Sequence, residues 1–391
     1  MNTTMTLSHF LKGDFMKKQI VLTLGLAVLA APAIASKARL QALGEDVNGS
    51  FYVTDLRNVF LNAANVNNHK DTVTFEWGDT TVESDATATP RAEGGVFKSF
   101  GNLSYGIYLG SESNSSNGYR KVSAVDLTQS AESNNIDLFV GGDAGVKWGA
   151  NLTYSKTEKD ETAGDASQSA LRSRLGVIAG DLEGFANVSI SNKAEDSAGD
   201  EFKGKLGYQV GAIYNLDAYR VFADYRSNSG EASGTLDGDI KGSQLQVGAA
   251  RVTKLNDKAN LFTKVQFQMN KAENDTAAAT AFGGTCSFSA AIGCEEYSAK
   301  FIPVVAGLEY DAASWLTLRG SVSQTVWGTQ EDKDDKKGFA ESTIVNAGAS
   351  LKFGELAVDG VIGNAAGIGD NTDGQLNTDN LMSRVSMTYN F

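Results

Sequence analysis

Two cysteines, three prolines and two histidines are all that 391 residues contain, and one of the histidines, His9, lies within the first 35. A Cys/His zinc cluster needs about four such ligands, so no metal site of that kind can be assembled. A hydrolase that draws its base from histidine has only His69 to use, and no catalytic residue can be named. Asp370, Asn371, Thr372, Asp373 and Gly374 offer oxygen ligands without the spacing or closing glutamate of a calcium loop, and read as a solvated turn. No cofactor motif is present. Long apolar runs are also missing: only 20–34 approaches the roughly 20 residues of a membrane helix, which excludes a multi-span helical bundle. Positive charge is scarce, with 34 Lys plus Arg against 47 Asp plus Glu. Nucleic acid is therefore disfavoured as a partner, because phosphate binding needs a concentrated basic surface. No Pro-rich or Gly/Ser-rich hinge divides the chain, so one large unit is expected.

Residues 1–35 read as a secretory signal peptide. Lys17 and Lys18 precede an apolar core, and Ala33 and Ala35 have the spacing of a signal-peptidase site; Met16, just before the lysines, marks a second candidate start. Beyond residue 35 the balance is 31 basic against 46 acidic residues, a net of −15. In an exported chain, Cys286 and Cys294, with seven residues between them in a Gly- and Ser-rich stretch, most simply form a small loop disulfide.

From Asp71 onward the chain alternates apolar and polar residues in short stretches separated by Gly, Asn, Asp and Ser clusters. Period-two alternation predicts strands with two chemically different faces, over 146–154, 202–214, 219–226, 261–269, 345–353 and 381–391 among others. Three features point to a membrane barrel rather than a soluble sandwich. The stretches run about 8 to 14 residues, as a tilted spanning strand requires. Tight turns, as at 100–101, 215–217 and 311–313, alternate with longer polar loops such as 111–134 and 272–295. Aromatics mark strand ends: Tyr214 and Tyr219 flank one turn, Tyr310 and Trp315 another, Trp148 opens a strand and Trp327 closes one, as in interfacial girdles. The count gives an all-β, antiparallel transmembrane barrel over 71–391 of about sixteen strands, with fourteen possible.

The last eleven residues, alternating to Tyr389 and a terminal Phe391, resemble the closing strand of Gram-negative outer-membrane barrels, and the likeness is to porins as a class. It implies that Tyr389 and Phe391 are read by the barrel-assembly machinery, that the protein sits in the outer membrane against lipid and lipopolysaccharide, and that it forms a homotrimer.

If the apolar face meets lipid, the other face lines the lumen. Its basic candidates are Lys147, Arg172, Arg174, Lys203, Lys205, Arg220, Arg226, Lys264, Arg319, Lys352 and Arg384; its acids are Glu76, Asp137, Asp224, Glu309 and Asp359. A basic ring favours anions, so the expectation is a water-filled channel with a basic wall, passing ions and small hydrophilic solutes by diffusion. Arg172, Arg174, Lys203, Lys205, Arg220 and Arg226 resemble the basic ladder of general porins, although 157–167 is short for a folded-in constriction loop. Pairing of these residues with inward acids or lipopolysaccharide is the bland alternative.

Residues 36–70 alternate less. The run from Phe51 to Ala64 resembles the opening segment of fatty-acid-transporter barrels, in which an acidic residue precedes an aromatic-Asn-Pro-Ala turn beside an internal hatch; Asn62-Ala63-Ala64 lacks that proline. The resemblance implies Phe51, Leu56, Phe60 and Leu61 packed in the lumen as a plug, with hydrophobic cargo. A periplasmic tail or an extra strand are the other readings, and a structural or adhesive barrel is the third functional class.

Overall fold

The computed structural model describes residues 36–78, 92–111, 134–161, 164–195, 197, 199–234, 238–274, 296–332, 336–338, 343–364 and 384–391. Their strands form one antiparallel sheet that closes on itself, because Thr72–Gly78 pairs on one side with Ala92–Phe100 and on the other with Arg384–Asn390. In chain order the staves are β1 (Thr72–Gly78), β2 (Ala92–Phe100), β3 (Leu103–Leu109), β4 (Ile136–Asp143), β5 (Lys147–Glu161), β6 (Gly164–Ala179) and β7 (Leu182–Glu195). Then come β8 (Glu201–Gly204 and Gly207–Leu216), β9 (Tyr219–Ser233), β10 (Gly238–Asn256), β11 (Ala259–Asn274) and β12 (Glu296–Ala313). The last four are β13 (Leu316–Asp332), β14 (Lys336–Gly338 and Thr343–Phe353), β15 (Leu356–Asn364) and β16 (Arg384–Asn390). Both pieces of β8 pair with β7 and β9, and both pieces of β14 pair with β13, so each is one interrupted stave and the barrel has sixteen.

The predicted alternation is what closes the sheet. On β5, Trp148, Leu152 and Tyr154 face outward and are 40–49% exposed, whereas Asn151, Thr153 and Ser155 face inward and are at most 2% exposed. The outer surface carries Ile107, Leu138, Leu152, Val210, Val247, Val265, Leu308 and Val345, all exposed. A contiguous apolar surface of this extent on a sheet without edges is lipid-facing, because a closed ladder pairs the backbone of each strand with both its neighbours. Trp148, Tyr214, Tyr219, Tyr310, Trp315 and Phe353 ring the short-turn end, while Trp77 and Trp327 lie toward the other. Even stave number, antiparallel neighbours, short turns at one end and an apolar belt between aromatic girdles make this an outer-membrane-type barrel.

The predicted strand over 202–214 is broken at Lys205 and Leu206, opposite an irregularity on the other side of β7, where Leu171 pairs with Ser191 and Arg172 with Ser189. Phe391 ends the chain beside β1, its N–H donating to the Asp71 carbonyl over 2.9 Å, with its ring 6.3 Å from that of Tyr389. Cys286 and Cys294, the turn at 370–374 and most of the loops 111–134 and 272–295 lie outside the described residues.

Candidate functional site

The lumen is where the functional candidates converge, and residues 36–70 occupy it. Three short helical turns organise this segment: α1 (Lys37–Ala42) and two 3-10 turns, Leu56–Phe60 and Ala63–Asn68. Each begins at a side chain that accepts a backbone N–H, from Arg39 to Ser36, from Arg57 to Asp55 and from Ala64 to Asn62, the arrangement that makes Ser, Asp and Asn good caps. Asn62 is thus the residue that turns the chain in the Asn-Ala-Ala triplet, and it does so without proline.

The wall is shaped to receive these turns. Gly141, Gly149 and Gly176 are cross-strand neighbours on β4, β5 and β6, and the second 3-10 turn lies directly on them. A β-carbon at Gly149 would fall 2.2 Å from the Ala63 carbonyl oxygen, and one at Gly176 would fall 1.8 Å from Oδ1 of Asn62; only glycine allows that approach. Around this seat, inward aromatics pack on the segment. Phe51 stacks on Phe222 with centroids 4.4 Å apart, and Phe60 meets Tyr108 and Phe139 edge-on at 5.1 and 5.7 Å. Leu40, Leu43, Val53, Leu56, Val59 and Val66 are at most 1% exposed, so the segment buries an apolar core inside a polar-lined barrel.

Charge fastens it further. Glu76 and Glu93 are cross-strand partners on β1 and β2, two carboxylates that would repel side by side on the lumen wall. The segment supplies their counter-ions: Lys37 Nζ lies 2.6 Å from Glu93, and Arg57 lies 3.2 Å from Glu93 and 3.7 Å from Glu76. Arg57 also donates to the Tyr108 hydroxyl, the Val47 carbonyl and Asn48, and stands 4.2 Å over the Phe60 ring. Arg39 bridges Asp55 and Glu309, and Glu45 pairs with Lys264 at 2.6 Å. Such pairs are held by geometry, since removing one partner leaves a buried charge uncompensated. Burial pushes the Asp55 carboxyl up to about 7 against the pull of Arg39, and burial pushes the His69 imidazole down to about 4.

Nine of the eleven basic candidates face the lumen, and two do not. Arg172, Arg174, Arg226, Arg319 and Arg384 are buried on inward positions, and Lys147, Arg220, Lys264 and Lys352 reach inward partners: Asn68, the Tyr52 carbonyl, Glu45 and Asp311. Lys203 and Lys205 lie on the outer face. Lys203 is paired in register with Glu231, which is also the register partner of Asp239, and Lys205 forms ion pairs with both acids. The break in β8 carries this short piece out of the phase assumed for a continuous strand. The ladder of six basic residues is therefore reduced to Arg172, Arg174, Arg220 and Arg226.

The wall is also less basic than the list suggested. Arg174 pairs with Asp137 at 3.0 Å, Arg226 with Asp224 at 2.9 Å, and Arg319 with Glu309 and Asp359 at 2.6 and 2.7 Å. Glu93 is not among the inward acids that the alternation gives, because the sequence marks this strand only over 94–99, whereas it begins at Ala92. Lys37, Arg39, Glu45, Asp55 and Arg57 were missed because a segment without a clear period gives no face to read.

A polar row completes the lumen. Asn151, Arg174, Asn187, Gln209, Arg226, Gln244 and Asn270 are successive cross-strand neighbours on β5 to β11. It starts at the seated segment, where Asn187 donates to the Leu61 carbonyl over 3.1 Å and Arg174 stands 5.4 Å from the Phe60 ring centroid.

No family model and no curated relative matches the chain. Among solved structures it is similar to a porin refined at 1.8 Å resolution, at 14% identity over 82% of this chain and 99% of that one, with a TM-score of 0.39. It is similar to the toluene transporter TodX of P. putida at 13% identity over 87% and 95% of the two chains, with a TM-score of 0.34. A monoaromatic hydrocarbon channel, CymD, matches at 11% identity over 93% and 99%, with a TM-score of 0.38.

Proposed function

We propose that the protein is an outer-membrane channel for small hydrophilic solutes whose resting state is closed by its own residues 36–70. The observation that carries this reading is the fit of that segment: caps, glycine seat, aromatic packing and buried ion pairs all act on the same 35 residues. A segment that merely trailed from the barrel would need none of them. Passage then requires the segment to shift, and the channel is a gated route rather than a permanently open basic pore. The amides, hydroxyls and balanced ion pairs of the wall favour water-soluble cargo.

Hydrophobic cargo, the second reading, is favoured by the cluster of Phe51, Phe185, Phe222 and Phe262. Those rings are consumed in packing the segment itself, so they form a cargo surface only once it has left. Solute-driven swelling of liposomes separates the readings. The intact chain is expected to admit sugars slowly, and a chain lacking 36–68 is expected to admit them quickly. Equal, fast swelling for both proteins would refute the closed resting state. Uptake of an aromatic hydrocarbon without sugar entry would favour the second reading.

A further inference from the structure

The polar row leaves the seated segment and climbs the wall. Asn151 lies four residues beyond Lys147 at the turn end of its stave, Arg226 seven beyond Tyr219, and Asn270 eleven beyond Ala259. Strand tilt thus converts a row of neighbours into a ramp from the segment toward the long-loop end. Its members are linked by hydrogen bonds: Arg174 to Asn151, Asn187 to Gln209 over 2.9 Å, Gln209 and Arg226 both to Asp224, and Gln244 to Asn270 over 2.9 Å. A second amide tier beside it, Gln246, Gln266 and Gln268, is bonded into the same ladder. Both arginines have their charge met, by Asp137 and Asp224, so the ramp presents many hydrogen-bonding groups and little net charge.

At its upper end the next row out is Asn228, Gly242, Ala272 and Tyr297, again successive neighbours on β9 to β12. Two small residues lie between two polar ones, which makes a shelf above Gln244 and Asn270. The polar ends of that shelf are unanswered. Among the described residues, neither side-chain polar atom of Asn228 nor the Tyr297 hydroxyl has a hydrogen-bond partner, although the residues are only 5% and 2% exposed. Buried polar groups are nearly always bonded, so these three atoms mark places where another molecule's polar atoms belong. The shelf spans three inter-strand steps, about 14 Å at ~4.8 Å each, enough for two or three linked sugar rings.

We propose that this ramp and shelf bind an uncharged oligosaccharide, taken up at the shelf and led along the amides to the segment. A hydroxyl both donates and accepts, so it can satisfy either end of an amide in either orientation, and a sugar chain supplies several at regular spacing. An ionic solute gains nothing from a surface whose charges are already balanced, and a fatty acyl chain would desolvate these amides without replacing their bonds. The inference names the cargo of the channel described above and rests on that reading for its direction of travel.

The test is calorimetric titration of maltohexaose into the intact, detergent-folded protein. Binding is expected for the unaltered protein, and Gln244→Ala/Asn270→Ala should weaken it by about tenfold or more, the loss of one to two hydrogen bonds. Asn228→Leu, which fills one end of the shelf, should weaken it similarly. Heat-modifiable gel migration shows that each variant is a folded barrel, and Gln244→Glu serves as a milder substitution should alanine disturb folding. No binding to the unaltered protein, equal affinity in the double variant, or displacement of the sugar by laurate would overturn the proposal. Binding is read without transport, so a barrel that proves permanently open would refute the closed state and leave this result standing.

Discussion

Replacing Arg57 with alanine removes the group on which the seating of residues 36–70 most depends. Arg57 is 1% exposed and touches Glu93, Glu76, Tyr108, Asn48 and the Val47 carbonyl. Without it, the register partners Glu76 and Glu93 face each other with Lys37 as their remaining counter-ion from the segment. Breaking a buried pair by deleting one partner costs about 3–5 kcal/mol, and at ~1.4 kcal/mol per decade the seated population falls relative to the displaced one by about a hundred- to several-thousand-fold. Hydrogen exchange read by mass spectrometry measures this directly. Protection of amides in 36–70 should fall by that factor, while strand amides such as those of Lys147–Glu161 keep theirs, because the cross-strand ladder is untouched. Adding Glu93→Gln should restore part of the loss by removing the uncompensated charge. Unchanged protection in 36–70, or a uniform loss across the strands, would refute the reasoning.

Three further outcomes follow from the same geometry. Gly149→Val places a β-carbon 2.2 Å from the Ala63 carbonyl oxygen, so it should expose 36–70 to protease while the barrel still migrates as folded; a protected segment would contradict the seat. Seating should respond to pH through two opposed groups. Asp55, with its pKa raised from 3.8 to about 7 when seated, contributes stability that is fully present below about 4 and lost as pH rises through about 7. His69, lowered from 6.5 to about 4, contributes stability that is present above 6.5 and lost as pH falls through about 4. In His69→Gln, seating should therefore strengthen as pH falls from 7 to 4, and in Asp55→Asn it should weaken over the same fall, as read by exchange in the segment; the same slope in both variants would sink the assignment. Lys203→Glu/Lys205→Glu should leave reversal potential unchanged because both side chains lie outside the barrel, whereas Arg172→Glu/Arg174→Glu should shift it toward cations.

The barrel was legible in the sequence because alternation reports a face directly: Trp148, Leu152 and Tyr154 against Asn151 and Thr153 can be sorted without coordinates. The turns and the end aromatics added the direction of the staves. What failed to show was phase at an interruption. Lys203 sits in a four-residue piece beyond a break and Lys205 in the break itself, where counting by twos from Tyr208 no longer holds. The lumen's contents were harder still. Residues 36–70 fold as three short capped turns that take their order from the wall, so their own pattern has no period, and the glycines that receive them look like ordinary strand glycines until β4, β5 and β6 are laid side by side. The charge balance misled for the same reason, since the counter-ions of the wall are partly on a segment whose place was not readable.

Single-channel recording in planar bilayers bears most directly on the closed resting state. The intact chain should be silent most of the time, with rare large openings, and Lys37→Ala/Arg57→Ala should raise the open fraction by at least a hundredfold while leaving the size of the open step unchanged. A steadily open pore in the unaltered protein, with the same open fraction in the variant, would contradict the account.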